Sequence, residues 1–273
     1  MGGLWFEIAA VGKTPASLAK MDRYATPDTV REDAVKLEIN PHFLVTFRDT
    51  TKTAIEMASI SNATGLVPDC RGMHGPVAGI EDMAKLFCLR KEGGLLTKLG
   101  VVEYARPLTF ADGSIDFLRS VTPGVFVVVQ THPQIQKDLN YWNVTGHGEY
   151  FTFYTPYHLV TNEIPLSVVW AVEDGEPTVA PSKGLVSEVV GSAKSDLKSG
   201  TLLDGGGGYC VFGVIDLATR AKAESAVPFG LLNGAKLLRV VKRDQVITYD
   251  AVELRQDTLL NTLRKMQDQT IPA

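Results

Sequence analysis

Between Gly175 and Gly184 the chain reads GEPTVAPSKG, a run of Pro, Gly and small residues that a helix or central strand does not tolerate. This break constrains the fold most, because different patterns lie on its two sides and each must bury a core of its own. Before it, long apolar runs alternate with helix-start signals. After it come short β-type runs punctuated by Gly, then an amphipathic helix with Leu259, Leu260, Leu263 and Met266 on one side. A length of 273 residues suits one large or two ordinary domains, and a boundary is expected within this stretch.

Leu4 to Val11 (LWFEIAAV) reads as a buried strand ending in Gly12-Lys13, oddly close to the first residue for a central strand. Thr26-Pro27-Asp28 is a helix start, with Thr as N-cap and Pro at the first helical position. That helix is expected to end near Asn40-Pro41, with HFLVTF (42–47) as a strand. Asp49 then opens a helix that stops at Gly65. Further on, a helix is expected from Glu81 to Phe87, a strand after Pro123-Gly124 and a helix from Pro133 to Trp142. YFTFYTPYHLV (150–160) alternates aromatic and polar residues, and LSVVWAVE (166–173) has helical character. AKSDLKSGTLLD (193–204) and VVKRDQVITYD (240–250) echo one another, which suggests a small pseudo-symmetric β domain.

Composition removes several functional classes. A net charge of −4 leaves no footprint for nucleic acid, and no Lys/Arg run marks a membrane surface. No apolar run reaches the ~18 residues of a spanning helix. The first residues lack the charged and apolar regions of a signal peptide. Cys70, Cys88 and Cys210 are odd in number and widely spaced, as expected of reduced thiols in a cytoplasmic protein. The GGGG at 205–208 is followed by YCVFGVI, a strand, so it reads as a turn and not as a phosphate loop. Gly12-Lys13-Thr14 mimics only the end of such a loop. No Gly-x-Gly-x-x-Gly occurs, and the five histidines have no zinc spacing.

The segment DTTKTAIEMASISNATGLVPDCRGMHGP (49–76) carries the densest chemistry. At 100° per residue, Asp49, Lys52, Glu56 and Ser59 share one side of the helix, while Ala54, Ile55, Met57 and Ala58 cover most of the other. Lys52 lies in the first turn, where the helix dipole disfavours a cation, and Lys before Glu is the poorer order for an i,i+4 pair. Helix stability therefore does not account for the arrangement. A lysine held near carboxylates donates a proton or hydrogen bond to a substrate oxygen. The plainer reading is a solvated face capped by Asp49. The next loop shifts the balance, because Asn62, Asp69, Arg71 and His74 gather beside Gly65, Gly72 and Gly75. Glycines allow close backbone approach, and Arg with His suits an anionic ligand.

That segment resembles the central motif of homoserine-dehydrogenase-like oxidoreductases with a C-terminal SAF domain, a group that includes the reductoisomerase-like enzymes. GVFVVV (124–129), residues 150–172, 177–216 and 229–254 resemble it as well. The resemblance implies an α/β (α+β) substrate domain with an open mixed sheet, then an all-β SAF-type β-clip and a C-terminal helix. Residues 1–15 would be the exit strand of a nucleotide-binding domain, 16–178 the catalytic and dimerisation domain, and 179–273 the β-clip. The Rossmann domain itself would be absent, the sequence being either a shortened piece of such an enzyme or one subunit of a split enzyme with a separate Rossmann chain, and a homodimer is implied. Carried over by position, Lys52 assists proton transfer at the substrate oxygen, with Asp49 and Glu56 orienting it or holding a divalent cation. Asn62, Asp69, Arg71 and His74 contact a small hydroxy or keto substrate, phosphorylated or otherwise. Lys13 reaches an NADP or NAD cofactor. The motif usually has Gly after the Asp, where this chain has Thr50. A SAF-domain scaffold without activity is the competing expectation, although a scaffold has no use for these side chains.

Overall fold

The computed structural model describes residues 6–256 and 258–271. In chain order its main elements are β1 (Phe6–Thr14), α1 (Arg31–Lys36), α2 (Pro41–Arg48), α3 (Thr51–Thr64), β2 (Val67–Pro68), α4 (Met83–Leu86), β3 (Val101–Tyr104), β4 (Gly124–Thr131), α5 (Pro133–Tyr141), β5 (Gly146–His147), β6 (Tyr150–Thr155) and α6 (Val160–Val169). Then follow β7 (Ser187–Ala193), β8 (Val211–Leu217), α7 (Ala218–Ala223), β9 (Lys236–Leu237), β10 (Val252–Glu253) and α8 (Leu259–Thr270). The chain is α/β, with one mixed six-stranded sheet and two small antiparallel two-stranded sheets. Two compact units form, Met1–Ala19 with Leu66–Ala180, and Lys20–Gly65 with Pro181–Ala273.

In the first unit the sheet order is β2-β3-β1-β4-β6-β5. β1 runs parallel to β3, which runs parallel to β2, while β4 and β6 follow antiparallel. β1 is third in the sheet and buried at Ala9 and Ala10, while Phe6 and Ile8 of the expected buried run are exposed. Leu4 and Trp5 of the expected strand lie outside the described residues. On one face Ala10, Phe126, Val128 and Tyr150 pack with Met83 and Phe87, and the Phe87 and Phe126 rings stack at 5.1 Å. On the other, Val129 and Phe151 meet Leu139 of α5. Full burial of each such side chain contributes about 1.5–3 kcal/mol. The expected strand after Pro123-Gly124 and the helices near Glu81 and Pro133 form as anticipated. The helix expected at 166–173 starts earlier, and a π-helical turn over Trp170–Asp174 ends it. Among the described residues no helix is long and apolar enough to cross a membrane.

The second unit corrects one expectation. HFLVTF is not a strand but the body of α2, because Asn40-Pro41 begins a helix instead of ending one. The Asn40 side chain accepts from the His42 N–H at 2.8 Å, and Pro41 takes the first helical position. Leu44 and Val45 then bury against Ala25, Val30 and Ala34. The Thr26-Pro27 signal forms a hydrogen-bonded turn between Thr26 and Thr29, and α1 follows it at Arg31.

α3 ends at Gly65 as expected, with φ of 84°. Its entry is less comfortable. Thr50 has φ of 70°, in the left-handed region that a β-branched residue rarely adopts. A glycine would adopt this conformation without strain. Thr50→Gly is expected to stabilise the protein by about 1 kcal/mol, read from the urea midpoint, because the roughly 1–2 kcal/mol of left-handed strain it removes exceeds the cost of the added unfolded-state entropy. A loss of stability would contradict this account of Thr50.

α3 packs on the β7–β8 hairpin. The Gly213 N–H donates to the Thr51 hydroxyl at 2.8 Å, fixing the start of the helix on β8. The two echoing segments face each other through reciprocal backbone hydrogen bonds between Leu197 and Val241, at 2.8 and 3.0 Å. In the GGGG turn, Asp204 accepts from the N–H groups of Tyr209 and Cys210. A Cβ on Gly207 would lie 2.1 Å from the His42 carbonyl oxygen, so the glycine permits a close backbone crossing. α8 forms as expected, with its Leu259, Leu260, Leu263 and Met266 stripe exposed.

Candidate active site

In the first unit, β2, β3 and β1 are parallel and end at the same side of the sheet. Ligands of open α/β sheets bind outside the carboxyl ends of such strands. Lys13 sits at the end of β1, in register with Tyr104 of β3. The loop DCRGMHGP leaves β2 at the same edge. It is tightly wound, with φ values of 81° at Gly72, 61° at Met73 and 57° at Gly75. A non-Gly residue held in this region marks stored backbone strain, which clusters at functional sites. The Met73 N–H closes a turn on the Cys70 carbonyl at 3.1 Å, and Arg106 Nε donates to the Gly75 carbonyl at 2.9 Å. A Cβ on Gly75 would meet the Tyr104 ring at 2.1 Å, so the loop can lie flat on β3 only with glycine there.

This loop delivers His74 to Glu103, a wholly buried carboxylate one residue before the carboxyl end of β3. His74 Nδ1 lies 2.6 Å from Glu103 Oε1, and the His74 backbone N–H donates to Oε2 at 3.0 Å. Against a carboxylate, Nδ1 is the donor. Nε2 lies 3.6 Å from Asp69 Oδ2. The hydrogen-bonding influence of Cys70, and then of Glu103, outweighs burial and raises the imidazole pKa to about 10. His74 is therefore an imidazolium at neutral pH. Asp69 is oriented by Thr97, whose backbone N–H donates at 3.0 Å and whose hydroxyl also donates. Arg71 stands partly exposed in the same loop. Of the expected residues, the structure thus brings Lys13, Asp69, Arg71 and His74 to one edge of one sheet.

The others lie in the second unit. Lys52 bonds Glu56 one turn on, and its ammonium stands 5.0 Å from the centre of the Phe47 ring. Both charged side chains are about one-third exposed. Asp49 does not join them. It is wholly buried, its Oδ1 accepts from the Thr51 N–H at 3.0 Å, and its Oδ2 pairs with Lys194 Nζ at 2.9 Å. Burial holds the Asp49 carboxyl above its usual range despite the attraction of Lys194. A divalent cation does not fit there, because an ammonium already occupies the free side of the carboxylate. On the wheel, Ala54, Met57 and Ala58 are buried as expected, but Ile55 is exposed. The Asn62 carboxamide is engaged by β7 and the residue before it: Oδ1 accepts from the N–H groups of Val186 and Ser187, and Nδ2 donates to the Ser187 carbonyl.

Two residues escaped the sequence reading. Glu103 lies within VVEY, and an acid in a β-type run has to find a buried partner. That was its only signal. Lys194, which claims Asp49, had none beyond its place in an echoed segment.

A protein-family model described as the catalytic domain of the oxidoreductase DRL matches residues 2–164, more than half of the chain. No curated protein matches the chain.

Proposed function

Because the chain belongs to the family of the oxidoreductase DRL catalytic domain, we propose that it is the substrate-binding and catalytic part of a nicotinamide-dependent enzyme that interconverts a small hydroxy compound and its keto form. In this reading the enzyme is cytoplasmic, residues 179–273 are a SAF-type β-clip, and a homodimer is completed by a nucleotide-binding domain. The observation that carries the reading is the His74–Glu103 pair at the carboxyl ends of three parallel strands. When bound, NADP or NAD supplies hydride exchange at the carbonyl carbon. The cationic groups of Lys13 and Arg71 at the same edge suit the phosphates of such a cofactor or of a phosphorylated substrate.

His74 handles the proton. As the carbonyl is reduced, negative charge grows on its oxygen, and the imidazolium donates a proton there from Nε2. Nε2 is buried, so the proton that restores the imidazolium has to reach it past Asp69 Oδ2, 3.6 Å away. An acid protonated through the neutral range favours the reductive direction. Lys52, to which the family resemblance gives the same task, is the second reading, favoured by its confinement between Glu56 and Phe47.

The test is oxidation of NADPH or NADH by the completed enzyme with a panel of small keto compounds. His74→Gln is expected to lower kcat by about 10²–10⁴-fold, the usual worth of a positioned general acid. Lys52→Ala is expected to leave kcat within about threefold, because in this reading it carries no proton step. The reverse pattern would transfer the proton to Lys52, and no turnover with any keto compound would defeat the proposed function.

A further inference from the structure

The carboxylate behind His74 has a task of its own, which rests on the function proposed above. We propose that Glu103 is the positioning residue of this reaction: it fixes the imidazole through Nδ1 and leaves Nε2, buried 3.6 Å from Asp69 Oδ2, as the proton-bearing nitrogen that a substrate oxygen entering there would meet. Glu103 holds His74 at two points, the ring and the backbone N–H, so it sets both the ring's rotation and the path of the loop. It is itself rigid, being wholly buried in a strand that pairs on both sides, with β2 and with β1.

Such an anchor has a chemical consequence. A carboxylate facing Nδ1 can only accept, so Nδ1 must carry a proton, and the ring stays cationic while Nε2 also carries one. Among the described residues, few titratable groups surround the ring. Cys70 and Asp69 face the ring from its own loop, and Glu103 faces it from β3. Arg106 binds the neighbouring Gly75 carbonyl, and Lys13 ends β1 beside Glu103 and Tyr104. Of these groups, Glu103 alone bonds both the ring and the main chain of His74.

Removing its charge should therefore change the proton chemistry without removing substrate contacts. The reductive step needs His74 protonated, so the rate falls as pH rises through the imidazole pKa. With Cys70 and then Glu103 acting on the ring, that alkaline limb lies near pH 10. In Glu103→Gln it is expected to move down by at least one pH unit, toward the ordinary imidazole value of about 6.5. kcat at pH 8 is expected to drop about 10–100-fold, a loss of the size seen when the carboxylate behind a metal-bound His is removed. KM is expected to hold within about threefold, because Glu103 touches no substrate. Glu103→Asp keeps the charge on a shorter stem, so it is expected to lower kcat while keeping the alkaline limb.

The second readout needs no cofactor. In the full chain with ¹⁵N-labelled histidine, the His74 ring signals, assigned by their loss in His74→Gln, are expected to titrate near pH 10 in the unaltered protein. They should titrate lower in Glu103→Gln. Should Glu103→Gln fail to fold, Glu103→Asp and the unaltered titration still decide. A His74 that titrates near 6.5 in an enzyme that turns over would overturn the role of Glu103 alone. So would a Glu103→Gln enzyme with unchanged kcat and limb. The expected titration in a protein without nicotinamide turnover would refute the functional reading and, with it, the role of Glu103 in catalysis.

Discussion

Lys194→Met is expected to destabilise the second unit by about 3–5 kcal/mol, the cost of leaving a buried charge without its partner. Lys194 Nζ pairs with Asp49 at 2.9 Å and donates to the carbonyls of Ala25 and Gly208 at 2.7 and 2.9 Å. One ammonium thus ties together the α2–α3 corner, the segment before α1 and the glycine turn. Methionine keeps the apolar stem but supplies no proton. Asp49 must then be protonated or buried as an unpaired anion. Its folded-state pKa is already raised, chiefly by burial, so the folded protein holds that proton more tightly than the unfolded chain does. The contribution is present at low pH and lost as pH rises through the folded pKa. Without Lys194 the shift grows, so the destabilisation should be larger at pH 8 than at pH 5. Native-state hydrogen exchange of the α3 amides measures it within the unit concerned. Adding Asp49→Asn to Lys194→Met removes both charges and is expected to recover stability to within about 2 kcal/mol. A single-variant loss below about 1 kcal/mol, or no recovery in the double variant, would show that the pair is not the keystone described.

Gly12→Ala is expected to cost the first unit about 3 kcal/mol, the upper end of the usual range for overpacking. A Cβ at this position would stand 2.2 Å from the Glu103 carbonyl oxygen and 2.7 Å from Phe126 Cζ. Phe126 can yield only by disturbing its stack on Phe87. The carbonyl belongs to β3, and β1 is hydrogen-bonded between β3 and β4, so neither strand can swing aside freely. The strain should also reach the site, because the displaced residue is Glu103. The variant is therefore expected to show a lower thermal midpoint by circular dichroism together with a His74 titration shifted toward neutral pH. A fold loosened elsewhere would lower the midpoint and leave His74 unchanged, which would contradict this placement of Gly12.

Both predictions turn on features that the amino-acid sequence showed unevenly. Gly12-Lys13-Thr14 invited comparison with a phosphate loop, and only the register with Glu103 reveals why a glycine is needed there. The helix from Asp49 to Gly65 was legible because its period, its polar entry and its terminal glycine agree. HFLVTF was not, because six residues of apolar and β-branched character fit a strand or a buried helix equally, and Asn40-Pro41 reads as a stop or a start. The loop from Asp69 to His74 was recognisable from its glycines and its density of functional side chains. Its partner was not, because the bond between His74 and Glu103 spans 29 positions and leaves no local pattern. Asp49 shows the opposite limit: a helical wheel gives direction but not depth, so it grouped Asp49 with Lys52 although a lysine 145 residues away in sequence, Lys194, holds its carboxylate.

The most direct measurement is deuterium transfer. The protein, together with the nucleotide-binding domain that the proposed function calls for, is supplied with reduced nicotinamide cofactor carrying two deuterons at ring carbon four and with a small keto compound. The product alcohol is expected to carry deuterium on the former carbonyl carbon, with a rate that collapses in His74→Gln. Product without deuterium at that carbon, or no product from any keto compound tested, would contradict the assignment of hydride chemistry to this site.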